Sequence, residues 1–291
     1  MKVNVAILNA FVDDNRGGNP AGVVLNADEL TNEQKLNIAK QVGLSETAFV
    51  SKSDVADFKL DFFTPQMQIA HCGHATIATF SYLSQQGLIP SPNTSKETID
   101  GVRQIEVKGD VAYMEQLAPK YTDPVGDHDR ILTSLGLSDD ASQEKILAKP
   151  VIANTGNGFL VVGVNNIEQL EAIQPNQPEI DAISEKYDLI GYYVFTTETN
   201  VPGRDASTRM FAPRYGIQEE SATGMAAGPL VCYLHDYLNM DKDHFVIEQG
   251  YAMTPASPSC LDARLSRKAG AIQSLIVGGV GMASRFETVE V

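Results

Sequence analysis

Gly73-His74-Ala75-Thr76-Ile77-Ala78-Thr79-Phe80-Ser81-Tyr82-Leu83 opens on a glycine, is too long for an ordinary strand, and carries apolar or small side chains around most of a helical circumference. A helix that is apolar nearly all round is a buried one, so the segment reads as a central helix with strands wrapped about it. The pattern recurs in Gly224-Met225-Ala226-Ala227-Gly228-Pro229-Leu230-Val231-Cys232-Tyr233-Leu234, which reaches Tyr-Leu at the same interval from its glycine. Pro229 is expected early in that helix, where a lost hydrogen bond costs least. Upstream, Phe62-Phe63-Thr64-Pro65 is echoed by Met210-Phe211-Ala212-Pro213, and Gly18-Asn19-Pro20-Ala21-Gly22-Val23-Val24-Leu25-Asn26 by Gly156-Asn157-Gly158-Phe159-Leu160-Val161-Val162-Gly163-Val164-Asn165. A fixed order of several motifs marks a duplication.

The expected fold is therefore α+β, with two pseudo-symmetric domains, each a β-barrel-like mixed sheet wrapped around a central helix. The first spans 1–118, with the C-terminal tail 279–291 packing on it, and the second spans 125–278. The loop-like Pro119-Lys120-Tyr121-Thr122-Asp123-Pro124-Val125-Gly126 lies between them. Gln104–Lys108 and Leu275–Val277 read as strands, and Asn32–Gln41 as an amphipathic helix capped by Thr31. One active site is expected in the cleft between the halves.

A length of 291 residues suits two domains, and 43% hydrophobic with 20% charged residues is ordinary globular composition. The formal charge of -15 repels a phosphate backbone and an anionic membrane surface alike, so neither nucleic acid nor membrane is an expected partner. A small anionic substrate remains compatible, because local donors outweigh a distant, screened surface charge. The 3 cysteines, Cys72, Cys232 and Cys260, form no disulfide framework. Asn4 and Asn9 interrupt the first apolar run, which reads as a strand and not a signal peptide. No apolar run approaches the roughly 18 residues of a spanning helix. A cytoplasmic protein is expected.

Unsatisfied N–H groups at the starts of the two glycine-opened helices attract an anion, which would lie beside His74 and Thr76 on one side and Thr223 and Met225 on the other. The alternative is that Gly73 and Gly224 only permit a tight entry into a buried helix. Glu46, in Gly43-Leu44-Ser45-Glu46-Thr47-Ala48-Phe49-Val50, stands at the edge of a core strand. Partial desolvation there raises a carboxyl pKa toward the range of a general acid or base. The alternative is a capping or solvent-facing glutamate. His71-Cys72-Gly73-His74 with Cys232 and His235 superficially offers zinc ligands, but no Cys-x-x-Cys knuckle sets a tetrahedral site, and no metal is expected. A two-thiol racemase would need a cysteine on each helix start, whereas Cys72 aligns with Thr223. Gly279-Val280-Gly281 lacks the third glycine of a dinucleotide fingerprint, and no cofactor is expected.

Asn9-Ala10-Phe11, Gly18-Asn19-Pro20-Ala21, Ser45-Glu46-Thr47-Ala48-Phe49, Phe63-Thr64-Pro65, Cys72-Gly73-His74-Ala75-Thr76, Arg209-Met210-Phe211-Ala212-Pro213, Gly216-Ile217 and Glu219-Glu220-Ser221-Ala222-Thr223-Gly224 together resemble the PhzF-like family of phenazine-biosynthesis isomerases. The resemblance implies a diaminopimelate epimerase-like fold, often a homodimer, and cofactor-independent isomerisation of a small carboxylate-bearing metabolite by carbon-to-carbon proton transfer. The family's type reaction isomerises trans-2,3-dihydro-3-hydroxyanthranilate. By the resemblance Glu46 matches the proton-shuttling glutamate and His74 the histidine that holds and polarises the substrate. Glu220 joins them as a catalytic candidate, and Asn19, Gly73, Ala75, Thr76, Thr223, Gly224 and Met225 form the expected substrate-binding set. Glu220 stands where the family usually has aspartate, and Met225 where it often has serine. An epimerase using Glu46 opposite Glu220, and a non-catalytic binding homologue, are the competing readings.

Overall fold

The computed structural model describes residues 1–137 and 146–291, so part of the expected second domain, 138–145, lies outside the described residues. The chain forms two compact units, 1–115 with 278–291, and 116–277.

In the first unit β1 (Lys2–Ala10), β2 (Asn19–Val24), α1 (Asn32–Val42), β3 (Thr47–Ser51), β4 (Phe58–Phe63), β5 (Gln68–Ile69), α2 (Gly73–Gln85), β6 (Asn93–Thr98), β7 (Gly101–Lys108) and β8 (Val111–Leu117) follow in order. β2 and β3 run parallel, as do β4 and β6; the other neighbours run antiparallel. The final strand, β17 (Ala271–Glu290), pairs with both β8 and β1 and closes the ring. Helix α2 fills the barrel, with His74 to Ser81 and Leu83 buried. β17 passes so close that a Cβ on Gly281 would lie 2.8 Å from the Ala78 Cα, so only glycine fits there. Val5, Ile7, Val24, Phe49 and Phe63 point the other way and form a second core under α1 with Ile38, Ala39 and Val42. Thr31 caps α1 in a capping box with Gln34, matching the sequence expectation.

The second unit repeats this plan. β9 (Lys120–Thr122), α3 (His128–Ser134), β10 (Ile146–Asn154), β11 (Gly158–Val164), α4 (Ile167–Ala172), α5 (Gln177–Lys186), β12 (Gly191–Thr196), β13 (Ala206–Ala212), β14 (Ile217–Glu220), α6 (Gly224–Asp236), β15 (His244–Gln249) and β16 (Ser259–Lys268) precede β17. β11 runs parallel to β12 and β13 to β15, as β2 does to β3 and β4 to β6. Helix α6 takes the place of α2, with Ala226 to Leu234 buried. The α+β fold, its barrel-like sheets and its duplication are thus as the repeated motifs imply. Pro229 differs from expectation. It lies in the second turn of α6, past the first-turn positions whose N–H groups have no helical partner, so it removes an interior hydrogen bond.

Candidate active site

The turn from Glu46 into β3 and the entry into α2 are held in one barrel, which brings together residues far apart in sequence. The Gly22 N–H donates to the Glu46 carbonyl, 3.0 Å, fixing the residue just before β3. Cys72 is the N-cap of α2 in extended conformation, its side chain making no capping bond. The His74 Nε2 lies 3.2 Å from the Glu46 Oε2, with both side chains largely buried. The Cys72 Sγ lies 3.6 Å from the His74 Nδ1. Glu46 Oε2 is sealed from solvent, with the His74 imidazole as its close partner.

The electrostatics correct one expectation. Burial does push the Glu46 carboxyl up, but the hydrogen bond and charge of His74, helped by Ser45, outweigh it and hold the group below its ordinary 4.5. Burial likewise disfavours the His74 imidazolium, yet Cys72 and Glu46 raise it well above 6.5. His74 therefore stabilises the fold fully below 6.5 and loses that contribution as pH rises through its folded value. Glu46 contributes above 4.5 and loses it as pH falls through its own lowered value. The Tm advantage of wild type over His74→Asn is expected to peak between these limits and close toward alkaline pH. An advantage unchanged from about pH 5 to about pH 10 would refute the linkage.

Glu46, Cys72 and His74 offer a carboxylate oxygen, a sulfur and an imidazole nitrogen within 4.8 Å of one another. Such a group can grip a metal or pass a proton. A metal would have to displace the proton that Cys72 and Glu46 hold on His74. Cys232 and His235 take no part in this cluster; Cys232 is fully buried, as a small core residue.

The other expected residues fall in two places. In the first unit Asn19 begins β2 and is buried, Gly73 opens α2, and Ala75 is fully buried. The Thr76 hydroxyl is engaged on both sides, donating to the Cys72 carbonyl at 2.6 Å and accepting from Lys96 at 2.6 Å. In the second unit Glu220 ends β14 and accepts a hydrogen bond from the Thr223 hydroxyl, and Gly224 opens α6. Gln249 braces that corner: its amide donates to the Glu220 carbonyl at 2.6 Å and accepts from the Thr223 N–H at 3.1 Å. The Met225 sulfur accepts from Asn157 Nδ2 at 3.4 Å. Sequence reasoning missed Gln249 and Lys96, each on an inward face of a strand whose orientation only the barrel reveals.

The family model described as "Phenazine biosynthesis-like protein", PhzC-PhzF, matches residues 8–285. "Uncharacterized isomerase YfhB" of Bacillus subtilis is 32% identical over 248 residues, 83% of this chain and 84% of that protein. The trans-2,3-dihydro-3-hydroxyanthranilate isomerase of Pseudomonas chlororaphis is 30% identical over 285 residues, 95% of each. Among solved structures, the PhzF-family phenazine biosynthesis protein of Bacillus anthracis superposes with a TM-score of 0.89 at 27% identity, covering 100% of both chains. Fold, motif order and these matches agree, and the chain belongs to the phenazine biosynthesis-like (PhzC-PhzF) family of enzymes.

Proposed function

We propose that the chain is a cofactor-independent isomerase that moves a proton between carbons of a small carboxylate-bearing molecule, Glu46 taking the proton and returning it. The observation that carries this is the ion pair between Glu46 and His74. It sets an ionised base beside a protonated acid at neutral pH, the separation of roles that proton transfer needs. A lowered carboxyl pKa keeps Glu46 ionised but makes it a weaker base, so the substrate C–H must be acidified. The His74 imidazolium does this by drawing charge from the substrate's conjugated system. Glu220 is assigned the second acid/base role, and Asn19, Gly73, Ala75, Thr76, Thr223, Gly224 and Met225 the binding of substrate. The uncapped N-terminus of α2, which His74 follows, suits its carboxylate. Homodimeric assembly, which rests on the family resemblance, and a cytoplasmic setting, which rests on the cysteine usage and the first strand, belong to the same proposal; none of the described helices is long and apolar enough to cross a membrane.

The test is NMR-detected deuterium incorporation in D₂O, with trans-2,3-dihydro-3-hydroxyanthranilate and a panel of amino and hydroxy acids as probes. Deuterium at the carbon that receives the proton, with no inversion of a stereocentre, is the expected result. Inversion would replace isomerisation by epimerisation, and no incorporation from any probe would count against proton transfer.

A further inference from the structure

Lys96 is a lysine where the fold needs an apolar residue. β6 alternates, with Thr94, Lys96 and Thr98 turned inward, and Lys96 has no exposed surface at all. Its amine donates to Thr76 Oγ1 at 2.6 Å, lies 3.1 Å from His71 Nδ1 and sits over the Phe62 ring, 5.0 Å from the centroid. No ion pair neutralises it among the described residues. Burial pushes its pKa down to about 7; Cys72 and Asp100 oppose the shift, and Arg103 adds to it. His71, beside it, is pushed down to about 3, first by burial and then by Lys96.

The duplication supplies an internal control. Lys96 stands across from Phe58, the first residue of β4, while Ile247 stands across from Ala206, the first residue of β13. Ile247 is likewise fully buried. Thr76, fourth residue of α2, corresponds to Ala227, fourth of α6. At the matching positions the second unit therefore has isoleucine and alanine where the first has lysine and threonine, all four fully buried. Packing does not call for the polar pair, and burying an amine without a counter-ion is costly.

What the pair touches is the start of α2. Thr76, gripped by Lys96, donates to the Cys72 carbonyl, and the Cys72 thiol faces the His74 Nδ1. We propose that Lys96 is a positioning residue for the proton-transfer pair, locking the Cys72–His74 corner through the Thr76 hydroxyl so that His74 stays aimed at Glu46. This rests on the function proposed above, with Glu46 and His74 as the reacting pair.

Lys96→Met and Thr76→Val test it. Both are expected to lower kcat for trans-2,3-dihydro-3-hydroxyanthranilate at least about tenfold, Lys96→Met with KM little changed, and the double variant to fall no further in kcat than the worse single. Lys96→Met should keep or raise Tm, because it removes a buried amine. Independently of substrate, the His74 ring titration followed by NMR should shift to lower pH in both variants. Wild-type titration of His74 in Thr76→Val overturns the proposal. So does an upward shift confined to Lys96→Met, which would report loss of a nearby charge only. Should Lys96→Met fail to fold, Thr76→Val alone decides. If wild type turns over none of the probes while the His74 shifts appear, the functional reading fails and the positioning role stands.

Discussion

Replacing Glu46 by glutamine is expected to lower kcat by about 10³, within the 10² to 10⁴ that a positioned general base supplies. The substitution keeps the size of the side chain and removes its charge. KM should change only a few-fold, since the loss falls on the transition state and not on ground-state binding. The same variant deprives His74 of its carboxylate partner, 3.2 Å away in the wild type, so the imidazole should titrate at lower pH. A variant that keeps a tenth of wild-type turnover would remove Glu46 from the role of base. The His74 titration would still report whether the ion pair exists.

The largest stability effect is expected at a buried ion pair outside the Glu46–Cys72–His74 cluster. Lys35 on α1 donates to Asp61 on β4 at 2.6 Å, with the two side chains only 7% and 6% exposed. Gln68 Nε2 donates to the other Asp61 oxygen at 3.2 Å. Truncating Asp61 to alanine strands an ammonium ion under α1, a change that costs about 3–5 kcal/mol. That is a large part of the roughly 5–15 kcal/mol that holds a typical protein folded. Urea unfolding should show it as a lower midpoint, and a loss below about 1 kcal/mol would mean that water reaches the lysine. Replacing both partners by apolar residues of similar volume should restore most of the loss, because it is the unpaired charge that costs.

The buried helices were legible because apolar residues encircle them, and the duplication because its motifs keep their order. Glu46 was legible as a carboxylate at a strand edge, but the sign of its pKa shift was not. Desolvation can be guessed from sequence, whereas an opposing imidazole cannot when it arrives from a different element through barrel closure. Nor does the repeat duplicate the base: the residue just before β12, where Glu46 precedes β3, is Ile190. Lys96 was hidden in Asn93-Thr94-Ser95-Lys96-Glu97-Thr98, polar on both faces, so that alternation alone does not tell which face turns inward. Aligning the two halves strand by strand would have set it against Ile247.

The closing strand ties the folding of the first barrel to the synthesis of the second unit. Seven of the strands in that ring have been synthesised by Leu117, yet β1 and β8 keep open edges until residues 278–290 of β17 arrive. Throughout synthesis of the whole second unit, the first exists as an unsealed sheet with unpaired backbone at each side, the form most exposed to mispairing with a neighbouring chain. Loss of residues 278–290 would therefore leave the second unit's strands intact and deny closure to the unit that holds Glu46 and His74.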